Sequence, residues 1–456
     1  MRLSKTIHLT LIVGFATAFT IVISAAMLKG KENNQKAYKY DDFKTPEYCG
    51  TACHNDIYRQ WKQSMMAQAF THHWDEIEYF ELAIPHARLE PKVAEVEAGC
   101  NGCHTPKAYL TGDIPPQRPD KNTRANEAVS CEICHLISGF TGEIPYNFNY
   151  IIEPGFTKFS GRKGGVQSPN HEIKLSELHR SGDFCGICHN EKSPFDVWVK
   201  STHLEWKAGP YYEEGVQCQD CHMPKAEGKI ALMGNTYEDA RQHLFHGAHD
   251  PGKVRGTVEL RIHSDLVEAE PGEPVKFTIV LFNQKTGHKF PTGSVEDRLL
   301  WMHVEATDAQ GNVYHLPVDR KGFEGEEYTI ASDVLAYQDM GVPLGKENFP
   351  GLQRDGIPPG NRIFRMPYFD PQGRMTIQQW NTASLGVDYR FEPRGSIIET
   401  CTFTIPLKAA PGKMTVKASL NYQLLVKPVA DFLKVPDEES AILLVNEHST
   451  QVEVLL

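Results

Sequence analysis

Ten of the eleven cysteines fall into five pairs, and a histidine directly follows the second cysteine of every pair. Two residues separate the cysteines of four pairs, and three separate those of the first. Two thiols on one turn can add to the two vinyl groups of a porphyrin while the adjoining imidazole binds its iron, so this spacing predicts c-type haem attachment. The five predicted sites are Cys49, Cys53 and His54; Cys100, Cys103 and His104; Cys131, Cys134 and His135; Cys185, Cys188 and His189; and Cys218, Cys221 and His222.

Neither zinc binding nor disulfide formation accounts for this pattern of cysteines. A structural zinc site takes four ligands, and five separate Cys–Cys–His units do not divide into fours. Disulfides, which an exported chain would normally form, give no reason for a histidine after every pair. The extra residue in the first motif predicts a looser turn and leaves open how that iron is ligated. The eleventh cysteine, Cys401, lies in an apolar β-branched run and is interpreted as a buried free thiol.

The motifs divide the 456-residue chain into parts of different character. All five lie within residues 31–255, which is too little protein to bury each porphyrin alone. We therefore expect packed haems among short helices broken by glycine and proline. Residues 256–456 alternate apolar, β-branched segments with turn residues, which predicts an all-β sandwich of immunoglobulin-like type. The predicted strands are 257–262, 275–283, 299–307, 312–317, 396–406, 414–425 and 451–456. The expected fold class is multidomain: a mainly helical, haem-cored domain followed by an all-β domain.

Residues 1–30 predict export, by one of two routes. A short basic start (Arg2, Lys5) precedes an apolar stretch over residues 7–28. This stretch is either a signal peptide cleaved near Ala26 or an uncleaved anchor, since about 20 apolar residues span a bilayer. An anchored chain would lie on the periplasmic face of the inner membrane, and a cleaved chain in the periplasm or outside the cell. The net charge of -11 disfavours nucleic acid as a partner.

The sixth ligand of each haem iron distinguishes an electron carrier from a catalyst. Histidine in that position gives a low-potential carrier, methionine raises the potential, and an open position binds substrate. The region of the motifs offers more spare histidines than irons. In a partial internal repeat, Trp61-x-x-Ser64 places Met66 where Trp198-x-x-Ser201 places a histidine. Glycines at 287 and 293 would let the backbone around one β-region histidine approach a haem closely. The candidate distal ligands are His203, His243, His179, His72 (or its neighbour His73), His288 and Met66.

Several of these segments resemble the multihaem family of the nitrifiers' tetrahaem cytochrome c-554, relatives of hydroxylamine oxidoreductase. The resemblance rests on residues 53–61, the Trp198-x-x-Ser-x-His203 unit, residues 218–224 and His243, and covers about residues 46–250. It implies bis-histidine electron carriers, with His203 and His243 as distal ligands. The β region with Gly-His-Lys-Phe-Pro-Thr-Gly (287–293) resembles a partner module found beside such cytochromes. Five motifs instead of four, and Met66 instead of a histidine, depart from the family pattern.

The leading hypothesis is an exported pentahaem c-type cytochrome that carries electrons between redox proteins or the quinol pool. Three alternatives stay open. The chain could be an oxidoreductase acting on a small nitrogen or sulfur species at an open haem, for which the irregular Cys49 motif is the best candidate. It could be a membrane quinol dehydrogenase, or an oligomer that shares ligands between subunits. No catalytic residue is assigned from the sequence.

Overall fold

The computed structural model describes residues 38–162, 168–320, 330, 332, 335–341 and 352–456. The predicted signal peptide or anchor at residues 1–30 lies outside these ranges. Within them, none of the helices combines the length and the apolar character needed to cross a bilayer.

The first part of the described chain consists of short helices, two-stranded ribbons and long connections. Proline begins several helices and glycine ends others; for example, the helix over residues 106–111 stops at Gly112, whose φ is +73°. The α-helices are α1 (Pro46–Gly50), α2 (Asn55–Lys62), α3 (Met65–Gln68), α4 (His73–Ile77), α5 (Ile84–Leu89), α6 (Val96–His104), α7 (Pro106–Thr111), α8 (Cys131–Leu136), α9 (Asp183–His189), α10 (Thr202–Lys207), α11 (Pro210–Glu213), α12 (Cys218–His222) and α13 (Pro251–Val254). The ribbons pair β1 (Ile137–Phe140) with β2 (Tyr150–Ile152), β3 (Thr157–Ser160) with β4 (Glu172–Leu175), β5 (Glu191–Lys192) with β6 (Trp198–Lys200), and β7 (Lys225–Lys229) with β8 (Thr236–Arg241).

The second part is strand-rich and contains two main sheets. Its strands are β9 (Val258–Ser264), β10 (Glu268–Ala269), β11 (Pro274–Asn283), β12 (Leu299–Thr307), β13 (Val313–His315), β14 (Arg362–Ile363), β15 (Tyr368–Phe369), β16 (Ser384–Leu385), β17 (Ser396–Thr404), β18 (Gly412–Gln423) and β19 (Leu443–Val454), and helix α14 (Lys427–Leu433) precedes the last of them. The larger sheet has the order β10-β19-β18-β12-β13, with β14 also paired to β12, and the smaller has the order β17-β11-β9.

The alternation of side chains along β11 shows why the two sheets share a core. Val275, Phe277, Ile279 and Leu281 are buried, while the residues between them are partly or fully exposed, as the two-residue repeat of a strand requires. These side chains belong to one apolar cluster with buried residues of both sheets, and Cys401 is part of it. The free thiol predicted for Cys401 is therefore confirmed as a core residue.

The predicted multidomain fold class, helical and then all-β, is confirmed. The predicted strand at 299–307 coincides with β12, and the turn at Asp308–Gly311 closes through an Asp308 N–H bond to the carbonyl of Asn312. The last strand is longer than predicted. It begins at Leu443, because it pairs along β18 as far as Tyr422. This pairing keeps polar residues in a strand that their sequence alone does not predict.

The two parts of the chain are joined by a continuous apolar interface. One cluster contains Trp74, Tyr79 and Leu82 from the helical part together with Trp301 and Trp380 from the β part. Buried polar contacts reinforce the interface. The Arg390 guanidinium lies 2.8 Å from the Glu205 carboxylate, with both side chains almost fully buried. The Ser193 hydroxyl donates to the carbonyl of Thr382 over 2.8 Å. The β part is therefore held in a fixed position against the helical part.

Candidate haem sites

The four regular motifs lie on single helical turns. Helices α6, α9 and α12 each end at the motif histidine, and α8 continues one residue beyond it. Residues three apart on a helix lie on the same face, so both thiols of each motif point to one side. Gly186 lies inside the fourth motif, and a Cβ there would come within 2.7 Å of the His203 ring. Glycine is therefore required at that position for the ring to pack against the turn.

The first motif accommodates its extra residue in a wider turn. Helix α1 ends at Gly50, and the His54 N–H donates to the carbonyl of Cys49, five residues earlier, over 2.9 Å. His54 then precedes α2 directly. The looser turn predicted for this motif is thus what the backbone adopts.

Four of the five motif histidines are oriented through Nδ1. Each Nδ1–H donates to a backbone carbonyl, which fixes the ring and leaves Nε2 with a free lone pair for a metal. For the fifth, His189, desolvation by the surrounding protein first and the charge of His222 next lower the pKa to about 4, so it is neutral at pH 7. The four bonds are His54 to Ile230 at 2.7 Å, His104 to Ala69 at 2.7 Å, His135 to Phe159 at 2.8 Å and His222 to His246 at 2.6 Å.

Opposite two of these histidines stands a second, nearly parallel imidazole. The ring centres of His54 and His171 are 6.0 Å apart with 27° between their planes, and those of His222 and His288 are 6.5 Å apart with 17°. An ion held at about 2 Å from each of two imidazole nitrogens, with roughly 1 Å from each nitrogen to its ring centre, sets the centres about 6 Å apart. The donors and spacing therefore fit a haem iron bound from both faces.

His135 has two neighbours at this spacing. His179 lies 6.1 Å away and His243 lies 6.3 Å away, at 20° and 30°. Both ring nitrogens of His179 are engaged, by the Ser176 hydroxyl at 2.9 Å and the Cys134 carbonyl at 2.9 Å. His243 uses only Nδ1, which donates to the carbonyl of Arg241 over 3.1 Å, and burial lowers its pKa to about 4. His243 is therefore better placed than His179 to be the distal ligand at the third motif.

The geometry of His203 argues against the prediction that it is a distal ligand. Its ring is buried, its Nδ1 accepts from the Asn190 amide over 2.9 Å, and its Nε2–H donates to Asp183 over 2.8 Å. Neither nitrogen keeps a lone pair for iron. Asp183 and Asn190 flank the fourth motif, so these two bonds tie the His203 ring to that motif.

His72 and Met66 also differ from a simple distal role. His72 Nδ1 lies 3.6 Å from one carboxylate oxygen of Asp75, and His104 Nδ1 lies 3.7 Å from the other. His72 is thus on the Nδ1 side of His104, away from the nitrogen that is free for iron, which argues against His72 as the distal ligand at the second motif. Met66 lies on α3, and its assignment stays a prediction.

His288 reaches the fifth motif from a firmly held loop of the β part. The Arg390 guanidinium donates to the carbonyl of Pro291 over 3.1 Å, and the Lys289 ammonium pairs with Asp388 at 3.0 Å. Backbone bonds join Phe290 and Phe391 in both directions. The loop packs closely at Gly287, where a Cβ would lie 3.3 Å from the ring of Tyr211. The glycines on both sides of His288 were the sequence signal for this placement.

His171 was not among the predicted ligands. It is in a connection with no local motif, just before β4, and only the surplus of histidines in the sequence pointed to it. Within the described ranges, no histidine ring faces His104 or His189 at the spacing of the other pairs.

Several ionisable side chains lie close together beside the second motif. Glu296 and Asp297 are 3% exposed, and one carboxylate oxygen of each has no hydrogen-bond partner. Burial raises the pKa of Glu296 to about 8 and that of Asp297 well above its usual range. The Lys200 ammonium lies 3.1 Å from Glu191 and is close enough to Cys100 to lower the pKa of its thiol, against the burial that raises it. Burial therefore favours the protonated form of both carboxyls.

The thiols of different motifs lie next to one another. Cys49 lies close enough to Cys131, Cys103 to Cys188 and Cys185 to Cys218 for the second thiol of each pair to shift the pKa of the first. The first site therefore adjoins the third, and the fourth adjoins both the second and the fifth.

Two family models match parts of the region that contains the motifs. The model of the family "Cytochrome c554 and c-prime" matches residues 48–136, and that of the "NapC/NirT cytochrome c family, N-terminal region" matches residues 157–256. No curated protein matches the chain.

Among solved structures, a penta-heme cytochrome c552 from Thermochromatium tepidum is 19% identical, covers 90% of this chain and 99% of its own, and has a TM-score of 0.59. At that identity the likeness shows the fold alone. The sporulation control protein Spo0M from Bacillus subtilis is 12% identical over 44% of this chain and 49% of its own. Its TM-score is 0.18, which is too low to indicate a shared fold. The motifs, the orientation of their histidines and the family matches together identify the chain as a multihaem c-type cytochrome, similar to the cytochrome c554 family over residues 48–136, and a strand-rich domain follows its haem-binding region.

Proposed function

We propose that this electron-transfer cytochrome carries five c-type haems and exchanges electrons between redox partners outside the cytoplasm. The observation that carries the proposal is the set of facing imidazoles: His54 with His171, His135 with His243, and His222 with His288. A bound haem supplies a reversible one-electron couple at its iron, and two imidazoles hold that couple low-spin and at low potential. The first, third and fifth sites are therefore proposed as carriers.

The chain contributes the positions of the sites. Motif thiols such as those of Cys49 and Cys131 lie close together, so the attachment points of neighbouring haems are close in space. The backbone carbonyls that accept from Nδ1 keep four of the five proximal rings in one orientation, which limits reorganisation when the charge of a site changes.

The membrane location belongs to the same proposal. Residues 1–30 would anchor the chain, with the cytochrome on the periplasmic face of the inner membrane and within reach of quinol. Mass spectrometry of the mature N-terminus tests this part alone: a chain that begins after Ala26 has no anchor.

The haem assignment is tested by counting haems and their spin states. We expect five haems per purified polypeptide, and electron paramagnetic resonance of the oxidised protein should give low-spin signals for at least three irons. Fewer than five haems, or a spectrum dominated by high-spin iron, would contradict the proposal.

A second function is favoured by one specific feature. His104 and His189 have no facing histidine in the described ranges, whereas His54, in the motif first expected to be open, faces His171. The carboxyl of Glu296, whose pKa burial raises to about 8, would deliver protons to a small nitrogen or sulfur species reduced there. Turnover of nitrite, hydroxylamine or sulfite by the reduced protein tests this function, and inertness towards all three, with no high-spin fraction, would exclude it.

A further inference from the structure

Three side chains from distant parts of the chain meet at the interface of the two domains. His72 directly precedes helix α4, His249 lies in the segment before α13, and Glu439 lies in the short 3-10 helix Asp437–Ser440 of the β domain. One ligand atom from each lies within 4.8 Å of the others. His73 adjoins them, with Nε2 3.3 Å from a Glu439 carboxylate oxygen.

The cluster is enclosed, but it is not fully hydrogen-bonded. His72 is 8% exposed, and its Nδ1 has no hydrogen-bond partner. Glu439 is bonded through one oxygen to His72 Nε2 at 3.0 Å, while its other oxygen is buried and has no partner. That second oxygen lies 4.0 Å from His249 Nδ1, and the rings of His72 and His249 meet edge to face at 5.2 Å. A buried polar atom without a partner is costly, so several of them in one place indicate a site that a ligand completes.

We infer that His72, His249 and Glu439 form a binding site for a divalent first-row transition metal ion, distinct from the haem irons. Two imidazoles and a carboxylate are the ligand set that suits Zn²⁺ or Fe²⁺, with further positions filled by water or by His73. Because histidine must be neutral to bind a metal, binding of the ion at this site competes with protonation of its imidazoles.

The site would tie the two domains together and would act on one of the haem sites. His72 and Glu439 belong to different domains, so a shared ion closes the interface between them. Asp75 lies 3.6 Å from His72 and 3.7 Å from His104. A change of charge at His72 is therefore transmitted through one carboxylate to the proximal ligand of the second haem site.

The experiment uses the full chain with its haems in place. The protein is analysed for metals as purified, treated with a chelator, and titrated with Zn²⁺ alone by calorimetry. The test variants are His249→Ala and Glu439→Gln. The matched controls are His263→Ala, an exposed histidine of β9, and Glu438→Gln, the exposed neighbour of Glu439 in the same helix. Haem absorbance and circular dichroism establish that each variant is folded, and the isosteric Glu439→Gln carries the test if His249→Ala does not accumulate.

We expect one Zn²⁺ per wild-type chain, and a loss of affinity of at least about tenfold in both test variants, because even residues that only support a ligand contribute that much. The controls should bind as the wild type does. The inference is overturned if chelator-treated wild type shows no saturable binding or if the test variants bind as tightly as the controls. It is also overturned if His72→Ala converts a low-spin haem to high-spin, since His72 would then be an iron ligand.

Discussion

Replacing His288 by alanine tests the link between the β domain and the haem-binding region. His288 faces His222 at 6.5 Å and 17°, and within the described ranges no other histidine ring lies at that spacing from His222. Removing the imidazole leaves the iron of the fifth site with one protein ligand. We therefore expect one iron per chain, a fifth of the proposed total, to change from low-spin to high-spin. The loop should keep its place, because Lys289, Phe290 and Pro291 are held by contacts that do not involve His288.

The assay is quantitative electron paramagnetic resonance of the oxidised protein, with His263→Ala as the control. His263 lies on β9 of the same domain and is exposed. Added imidazole should restore the low-spin signal in His288→Ala, since the cavity left behind matches the lost ring. If the variant shows the wild-type proportion of low-spin iron, the pairing of His222 with His288 is refuted. If more than one iron changes spin state, the loop that carries His288 affects other haem sites besides the fifth. That result would also refute the inference drawn from the contact between His222 and His288.

Three further variants test other parts of the arrangement. His203→Ala should lower the free energy of unfolding by about 1–3 kcal/mol in denaturant titrations, because its bonds to Asp183 and Asn190 are lost, without adding high-spin iron; a new high-spin signal would make His203 a ligand after all. Burial raises the pKa of Glu296 from its ordinary 4.5 to about 8. Between these two pH values the folded protein binds more protons than the unfolded chain, so the stability of the protein falls as pH rises from about 5 to 8. Glu296→Gln should remove that dependence and stabilise the protein at pH 8 by a few kcal/mol, at roughly 1.4 kcal/mol per pKa unit, which unfolding curves of both proteins at the two pH values will show. Arg390→Met leaves the Glu205 carboxylate buried and unpaired and should destabilise the protein by about 3–5 kcal/mol, and the double variant with Glu205→Gln should recover most of this in the same titrations.

What the sequence predicted well depends on short-range chemistry. Cys100, Cys103 and His104 can be recognised as one unit because all three lie on one helical turn. The strand at 275–283 was identifiable from its alternation alone, which the burial of Val275, Phe277, Ile279 and Leu281 reproduces. In both cases the residues that determine the outcome are neighbours in sequence.

The distal histidines were harder to predict because their partners are far away in sequence. His203 matched a local pattern, but the pattern does not say that Asp183 and Asn190 lie on either side of its ring. His171 carries no pattern, yet it stands opposite a histidine 117 positions earlier in the chain, His54. Whether two histidines face each other across a gap the width of a porphyrin depends on the tertiary structure. The sequence therefore shows how many spare histidines there are, but not which haem each of them would serve.

The same long-range contacts bear on what the β domain does. The domain boundary predicted near residue 255 lies between the last motif and the first long strand. Trp74 and Trp301 nevertheless share one core across it, and Glu205 and Arg390 form a buried pair across it. A fragment ending at residue 255 would expose that core and leave His222 without the imidazole of His288 opposite it. In the proposed arrangement the fifth site takes one ligand from each side of the boundary. Binding of a haem there and docking of the two domains would then be linked equilibria, each stabilising the other.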